Sequence, residues 1–227
     1  MVENLLFRGK IIWIKSLFNF HRLIGDQLRG LNFENVAIEP EQLGYDGEII
    51  YRAEPQGGYE LYKLISKLNI QENDAIIDIG CGQGSAIRTM HKFPFKRIDG
   101  IEIAKEIAAI AIKNFQLLKN DRSNIFIKDA VKFTSYDNYN IFYIFNPFPP
   151  EIFAQVITKI NDSIKDSNKE AIIIYINPTC HDTLVNNSNF RLMIETDVRW
   201  EPANIYTNYP PENSRLKTFN IKYYTSP

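Results

Sequence analysis

The stretch Asp78-Ile79-Gly80-Cys81-Gly82-Gln83-Gly84 follows an apolar run that begins at Ala75, and a helical pattern opens directly after it. A buried strand ending this way must turn sharply into a helix while its backbone stays open. Glycine alone takes positive φ without strain and leaves no side chain over the peptide. A simple tight bend would need one glycine and would make no demand on an acid at position 78. A dinucleotide turn would follow G-x-G-x-x-G, with pyrophosphate at the helix N-terminus. Here Ser occupies position 85 and the third glycine stands at 84. A carboxylate at the mouth of the turn also suits a ligand carrying an ammonium group better than one carrying phosphate.

Working outward, Leu61, Leu64, Ile65 and Leu68 recur at helical spacing before the turn. After it come strand-like Arg97 to Ile103, a helix with Ile107, Ile110, Ala111, Phe115 and Leu118 on one face, and strand-like Ile125 to Lys128. Ile141 to Phe145 and Ala171 to Ile176 read as further strands, with a helix burying Phe153, Val156, Ile157, Ile160 and Ile164 between them. Strands and helices alternating over short connections require right-handed crossovers and a parallel sheet covered on both faces, with the ligand crevice at the strand carboxyl ends. Beyond Asn189, extended segments are expected over Phe190 to Trp200, Asn204 to Tyr209 and Leu216 to Tyr224. The predicted fold is α/β, a Rossmann-like three-layer sandwich whose mostly parallel seven-stranded sheet has an antiparallel C-terminal edge.

Residues 1–45 read as an N-terminal helical extension ahead of a ligand-binding domain over 46–227. Leu5, Leu6, Trp13, Ile14, Leu17, Phe18 and Leu28 lie among polar neighbours there, as in amphipathic helices that cap the core or form a homodimer interface. Contact with a membrane surface is the alternative. No apolar run reaches the ~20 residues of a transmembrane helix. The 227 residues carry 26 Lys and Arg against 27 Asp and Glu, a net charge of −1 that gives no field for gathering phosphates and so no support for a nucleic-acid partner. Cys81 and Cys180 match neither a disulfide framework nor zinc spacing, no metal-ligand set is visible, and the start lacks the order of a secretion signal. A cytoplasmic protein without a metal is expected.

Two further acids follow the register of Asp78. Glu102 ends the second strand and Asp129 the third. Taken singly, one is an ordinary solvated acid and the other a helix N-cap. Together with D-I-G-C-G-Q-G and the spacing from about 55 to 180, they resemble the class I, Rossmann-like S-adenosylmethionine-dependent methyltransferases. The resemblance implies S-adenosyl-L-methionine as cofactor. Asp78, Ile79, Gly80, Cys81, Gly82 and Gly84 would then surround its methionine part. Glu102 with Ile103 would meet the ribose hydroxyls, and Asp129 with Ala130 the adenine. Asn146 would lie nearest the methyl, and Gln56 with Gly57, in the loop Glu54 to Tyr59, would reach the cofactor from before the first strand.

The fourth strand ends in Asn146-Pro147-Phe148-Pro149-Pro150. Pro147 fixes φ and removes a donor, so the Asn146 carboxamide could accept a hydrogen bond from a substrate N–H while Phe148 stacks beside it. This is similar to amino-methyltransferases of adenine or glutamine, whose motif runs Asp or Asn, Pro, Pro, aromatic; Phe148 in third place departs from it. The alternative is a strand stop that starts a helix near Glu151. Gly44-Tyr45-Asp46-Gly47-Glu48 is loosely similar to Rossmann-like histone-lysine methyltransferases. His181, after the fifth strand, has the chemistry of a general base. Tyr206, Tyr209, Pro210 and Pro211 could cover an acceptor or form an edge loop. Catalytic expectations therefore fall on Asn146 and His181, and substrate contacts on Pro147, Phe148 and Tyr206. The function expected is methylation of oxygen or nitrogen on a small molecule or glycan. Amino-methylation of protein or nucleic acid, and a non-catalytic cofactor-binding partner subunit, are the alternatives.

Overall fold

Seven strands form one sheet: β1 (Ala75–Ile79), β2 (Arg97–Glu102), β3 (Ile125–Ile127), β4 (Ile141–Phe145), β5 (Ile172–Ile176), β6 (Arg191–Val198) and β7 (Glu201–Thr207). The computed structural model describes residues 24–33 except 27, 57–198 except 168, and 201–218. The strand order is β3-β2-β1-β4-β5-β7-β6. Strands β1 to β5 pair in parallel, while β7 runs antiparallel to both β5 and β6. This is the sheet expected from the alternating pattern. Its order reverses between β1 and β4, which opens a crevice at their carboxyl ends.

Every residue of β1 and of β5 is buried, as continuous Ile-rich runs require when helices cover both faces. Helices α1 (Tyr59–Ile65), α2 (Ser85–Met90) and α3 (Lys105–Leu117) send Leu61, Ile65, Ile87, Met90 and Phe115 to one face. On the other, α4 (Pro150–Ile164) buries Phe153, Val156, Ile157, Ile160 and Ile164, the five positions its period selects, and α5 (His181–Asn186) adds Leu184. Pro150 begins α4, where its missing N–H costs nothing.

Most of residues 1–45 lie outside the described residues, as do Gly44 to Glu48, Gln56 and the end of the chain from 219. The described part of the extension docks on α2 and α3. Asp26 pairs with Arg88, the Phe33 ring meets Phe115 edge-on at 5.6 Å, and Asn32 and Asn114 exchange hydrogen bonds of 2.8 and 2.6 Å.

The strand expected over Leu216 to Tyr224 does not begin as one: Arg215–Thr218 is a 3-10 turn. Its cause lies at the amino ends of the parallel strands. Arg215 reaches Asp74, just before β1, through both terminal nitrogens at 2.7 and 3.1 Å, and Glu170, before β5, through Nε at 3.2 Å. Asn140, before β4, donates to Asp74 at 2.7 Å. Thr207 also donates to Glu170, at 2.9 Å. Arg215→Ala would leave two buried carboxylates without their cation, and a loss of about 3 to 5 kcal/mol of unfolding free energy in urea titration is expected.

His91, the C-cap of α2, bonds Ser123 Oγ at 2.7 Å with Asn120 and Arg122 beside it. Burial, then the Arg122 charge, lowers its pKa from 6.5 to about 4. The unfolded chain thus binds the proton first as pH falls. The stability His91 contributes is complete above pH 6.5 and drains away toward pH 4. Urea midpoints of His91→Gln should fall less steeply across that window than those of the unsubstituted protein.

Candidate active site

Gly80, Gly82 and Gly84 all adopt positive φ, at 83, 54 and 86°. The turn they form hangs from the end of β2. The amides of Gly80 and Cys81 both donate to the Ile101 carbonyl at 2.9 Å, and the Gly82 amide donates to Glu102 Oε2 at 2.9 Å. The other oxygen of Glu102 accepts from the Ala104 amide at 2.9 Å. A methyl group added at Gly84 would come within 2.7 Å of the Phe115 ring, and one at Gly80 within 2.8 Å of Pro147. At Gly82 it would meet nothing within 4 Å. Two glycines thus serve close packing, while the third presents bare backbone to the open crevice.

Asp78 is 3% exposed, and its carboxylate accepts no hydrogen bond from any described residue. Burial, and then the charge of Glu102, push its pKa well above the usual carboxylate range. Glu102 is raised too, by burial, although the amides of Ala104, Gly82 and Ile103 oppose the shift. A buried acid to which no described residue donates suits a cationic ligand, and the ammonium group of S-adenosylmethionine would fit this end of the site. The Cys81 thiol, raised by burial and then by Asp78 and Glu102, packs against Gly100, where a methyl group would come within 2.6 Å of it.

The remaining cofactor candidates stand around that turn. Ile79 is wholly buried, so only its backbone can meet a ligand, while Ile103 is partly exposed. Asp129 caps a 3-10 turn through the Val131 amide at 2.9 Å and lies 3.5 Å from Lys132 Nζ, yet remains about a third exposed. Ala130 is buried beside it. The Gly57 amide donates to Ser85 Oγ at 3.1 Å and that of Gly58 to Thr89 Oγ1 at 2.8 Å. This brings the preceding loop onto the first turns of α2, next to Gly84.

On the acceptor side, Asn146 and Asn177 leave the neighbouring strands β4 and β5 in the same way, each at positive φ (33 and 49°) and each followed by proline. Asn146 Oδ1 accepts from Thr179 Oγ1 at 2.7 Å and from the Tyr175 hydroxyl at 3.3 Å. Pro147 abuts Gly80, joining the acceptor turn to the glycine turn. Two expected substrate contacts are placed differently. Phe148 is 8% exposed and belongs to the core cluster of Phe153. Tyr206 lies in β7, in the extended segment expected there, and is fully buried because β7 is flanked by β5 and β6, whose Ile173 and Leu192 pair with it. Its hydroxyl, raised to about 12 mainly by burial, meets His181 Nδ1 at 2.8 Å and accepts from Asn204 at 3.0 Å. One nitrogen of the expected base is therefore already engaged. Tyr209, Pro210 and Pro211 follow Asn208, which bonds Ala171 at the amino end of β5, so they cannot cover the crevice. Among the described residues no cluster of His, Cys, Asp and Glu is arranged to hold a metal.

Thr179, Tyr175 and Asn114 were not among the expected site residues. Asn114 donates to the Gln83 carbonyl in the glycine turn at 3.3 Å while holding Asn32. Its signal was a polar residue beside Phe115 on the buried stripe of α3. Tyr175 was the one polar-tipped residue in the Ile-rich fifth strand.

The sheet order, the glycine turn and the acids at successive strand ends define the class I S-adenosyl-L-methionine-dependent methyltransferase fold, with S-adenosyl-L-methionine as the cofactor. A family model described as ribosomal RNA adenine dimethylase matches residues 61–201, and the chain belongs to that family. A probable cobalt-precorrin-6B C(15)-methyltransferase (decarboxylating) of Methanococcus maripaludis is 30% identical over 112 residues, 48% of this chain and 56% of the relative. A ribosomal RNA small subunit methyltransferase A of Hydrogenobaculum is 23% identical over 150 residues, 65% and 53% of the two chains. The chain thus spans about half the length of these curated relatives. Among solved structures, the mitomycin 7-O-methyltransferase MmcR superposes with a TM-score of 0.53 at 14% identity, over 65% of this chain and 52% of that one. A putative methyltransferase, yhhF of Escherichia coli, gives 0.51 at 18%, over 67% and 88%. At these identities the likeness concerns the fold.

Gly82→Ala should cost about 1 kcal/mol of stability, since only its φ is strained, while weakening cofactor binding at least about tenfold in calorimetry. Gly84→Ala, driven into Phe115 as well, should lose about 3 kcal/mol or more in the same urea titration.

Proposed function

We propose that this protein transfers the methyl group of S-adenosylmethionine to oxygen or nitrogen of a small molecule or glycan seated at the carboxyl ends of β4 and β5. The observation that carries the reading is Asp78, a buried carboxylate that accepts no hydrogen bond from any described residue, beside a glycine turn where a methyl group added at the middle glycine meets no described atom within 4 Å. Bound S-adenosylmethionine supplies an already activated sulfonium methyl, so the protein's task is alignment and exclusion of water. Asp78 would take the ammonium group. Glu102, whose oxygens accept from the Gly82 and Ala104 amides, would offer a remaining lone pair to the ribose hydroxyls. Asp129 and Ala130 would border the adenine, with Gln56 and Gly57 closing from the other side. Pro147 against Gly80 keeps the acceptor next to the methyl-bearing end. A net charge of −1 suits a small acceptor better than a polyanion.

A second reading is favoured by the family match: the acceptor is an adenine amino group of ribosomal RNA, as the names of the family and of the Hydrogenobaculum relative state for those proteins. Labelled S-adenosylmethionine incubated with the small-molecule fraction of a cell extract and, separately, with small-subunit ribosomal RNA separates the two. Label in the small-molecule fraction is expected, and label confined to RNA adenine would replace the first reading by the second. Binding without transfer to either would leave a non-catalytic cofactor-binding subunit. Asp78→Asn should weaken cofactor binding at least about tenfold in calorimetry. Because only the ionised carboxylate attracts the ammonium, affinity in the unsubstituted protein should fall as pH drops below the raised pKa of Asp78, and this pH dependence should vanish in the variant.

A further inference from the structure

The glycine turn has a second support besides the end of β2. Ile101 and Glu102 hold its first half, from Gly80 to Gly82, whereas Gln83 and Gly84 lean on α3 and, through it, on the segment 26–33. Asn114 of α3 is 1% exposed and stands on the buried stripe of Ile107, Ala111 and Phe115. Its carboxamide bridges two stretches of backbone that are far apart in the chain. The oxygen accepts from the Asn32 amide at 2.8 Å, and the nitrogen donates to the Asn32 carbonyl at 2.6 Å and to the Gln83 carbonyl at 3.3 Å. A backbone amide only donates and a carbonyl only accepts, so these partners settle which way the carboxamide faces. Two further contacts run in the same direction. Phe115 meets Phe33 edge-on at 5.6 Å, and the same ring stands where a methyl group at Gly84 would come within 2.7 Å of it. Arg88, in the helix that leaves the turn, pairs with Asp26 and lies over the Phe33 ring at 4.9 Å.

From these contacts we infer that Asn114 is a positioning residue for the cofactor turn and that docking of segment 26–33 is coupled to S-adenosylmethionine binding, an inference that rests on the glycine turn being the cofactor site. The docked segment holds Gln83 and Gly84 in the shape that receives the cofactor, and bound cofactor holds the segment down. When the segment lifts, Asn114 loses two of its three bonds and Phe115 loses the ring that backs it. The side chains that fix the second half of the turn then gain freedom, which cofactor binding must remove again. Such coupling is reciprocal, so the same factor is read from either end. The extension thereby acts on the cofactor without contributing a group to the crevice, and whatever draws it off α2 and α3 lowers cofactor affinity.

Hydrogen exchange of the full chain, read by mass spectrometry with and without saturating S-adenosylmethionine, tests the coupling. In the unsubstituted protein the peptide spanning 26–33 should exchange about fivefold or more slowly with cofactor bound. The peptide spanning β6, at the far edge of the sheet, should be unchanged. Calorimetric affinity should fall about tenfold in Asn114→Ala, and at saturation that variant should show no cofactor-dependent protection of 26–33. Asp26→Asn alters a carboxylate that bonds Arg88 and no residue of the turn, and it should weaken cofactor binding about fivefold with the fold kept. A purely structural Asn114 would lower the urea midpoint yet leave exchange of 26–33 indifferent to cofactor. That indifference in the unsubstituted protein, or normal affinity in Asp26→Asn, overturns the coupling even where Asn114→Ala fails to fold. If the unsubstituted protein does not bind S-adenosylmethionine, or Gly82→Ala and Asp78→Asn bind it normally, the cofactor-site reading itself is overturned.

Discussion

The Glu102 carboxylate joins the ends of two parallel strands, and the architecture of the site depends on it. One oxygen holds the amide of Gly82 in the turn after β1, and the other holds the amide of Ala104 at the start of α3. A parallel strand that ends inside a covered sheet leaves amides that water cannot easily reach, and each needs a partner. Here one acid supplies two. The glycine turn is thereby kept as an open loop of fixed shape, with the Ile101 carbonyl accepting from the Gly80 and Cys81 amides and the Cys81 carbonyl from that of Gly84. The arrangement has a cost in charge. Glu102 raises the pKa of Asp78, so two acids share a buried corner that favours a cation between strand ends.

The opposite ends of the same strands are closed by a different device. Asp74, Asn140 and Glu170 stand immediately before β1, β4 and β5, and Arg215 gathers Asp74 and Glu170 into one bonded set. The sheet is thus fastened where its strands begin and left open where they finish. This division explains why Tyr209 to Pro211, aromatic and proline-rich as they are, do not take part in the site: Asn208 ties them beside Ala171 at the fastened end.

Much of this could be read from the chain because its signals were local. Short Ile-rich runs marked β1 and β5, the period of Phe153, Val156, Ile157, Ile160 and Ile164 marked α4, and three glycines with an acid marked the turn. What escaped depended on distant partners. Tyr206 stood in an expected extended segment but was assigned to the acceptor, and only its pairing with β5 shows that its side chain is buried in the sheet. Leu216 read as the start of an extended run, whereas Arg215 just before it is drawn to Asp74, 141 residues away, and a 3-10 turn forms there instead. The net charge gave no hint of a nucleic-acid partner, whereas the family model brings RNA back among the acceptors to be weighed.

The same distinction governs the acceptor. An Asn-Pro-Phe sequence after the fourth strand names a carboxamide but leaves open which end of it the substrate meets, since an amide carries an acceptor and two donors on one rotatable bond. The partner of that carboxamide stands 33 residues further on: Thr179, in the turn that leaves the adjacent strand, donates to its oxygen. Asn146 and Asn177 adopt matching left-handed turns before proline, and it is this repeated geometry that carries Thr179 back over the end of β4. In this chain the end of β4 is shaped by a pair of turns from adjacent strands, a pairing that the short motif alone does not disclose.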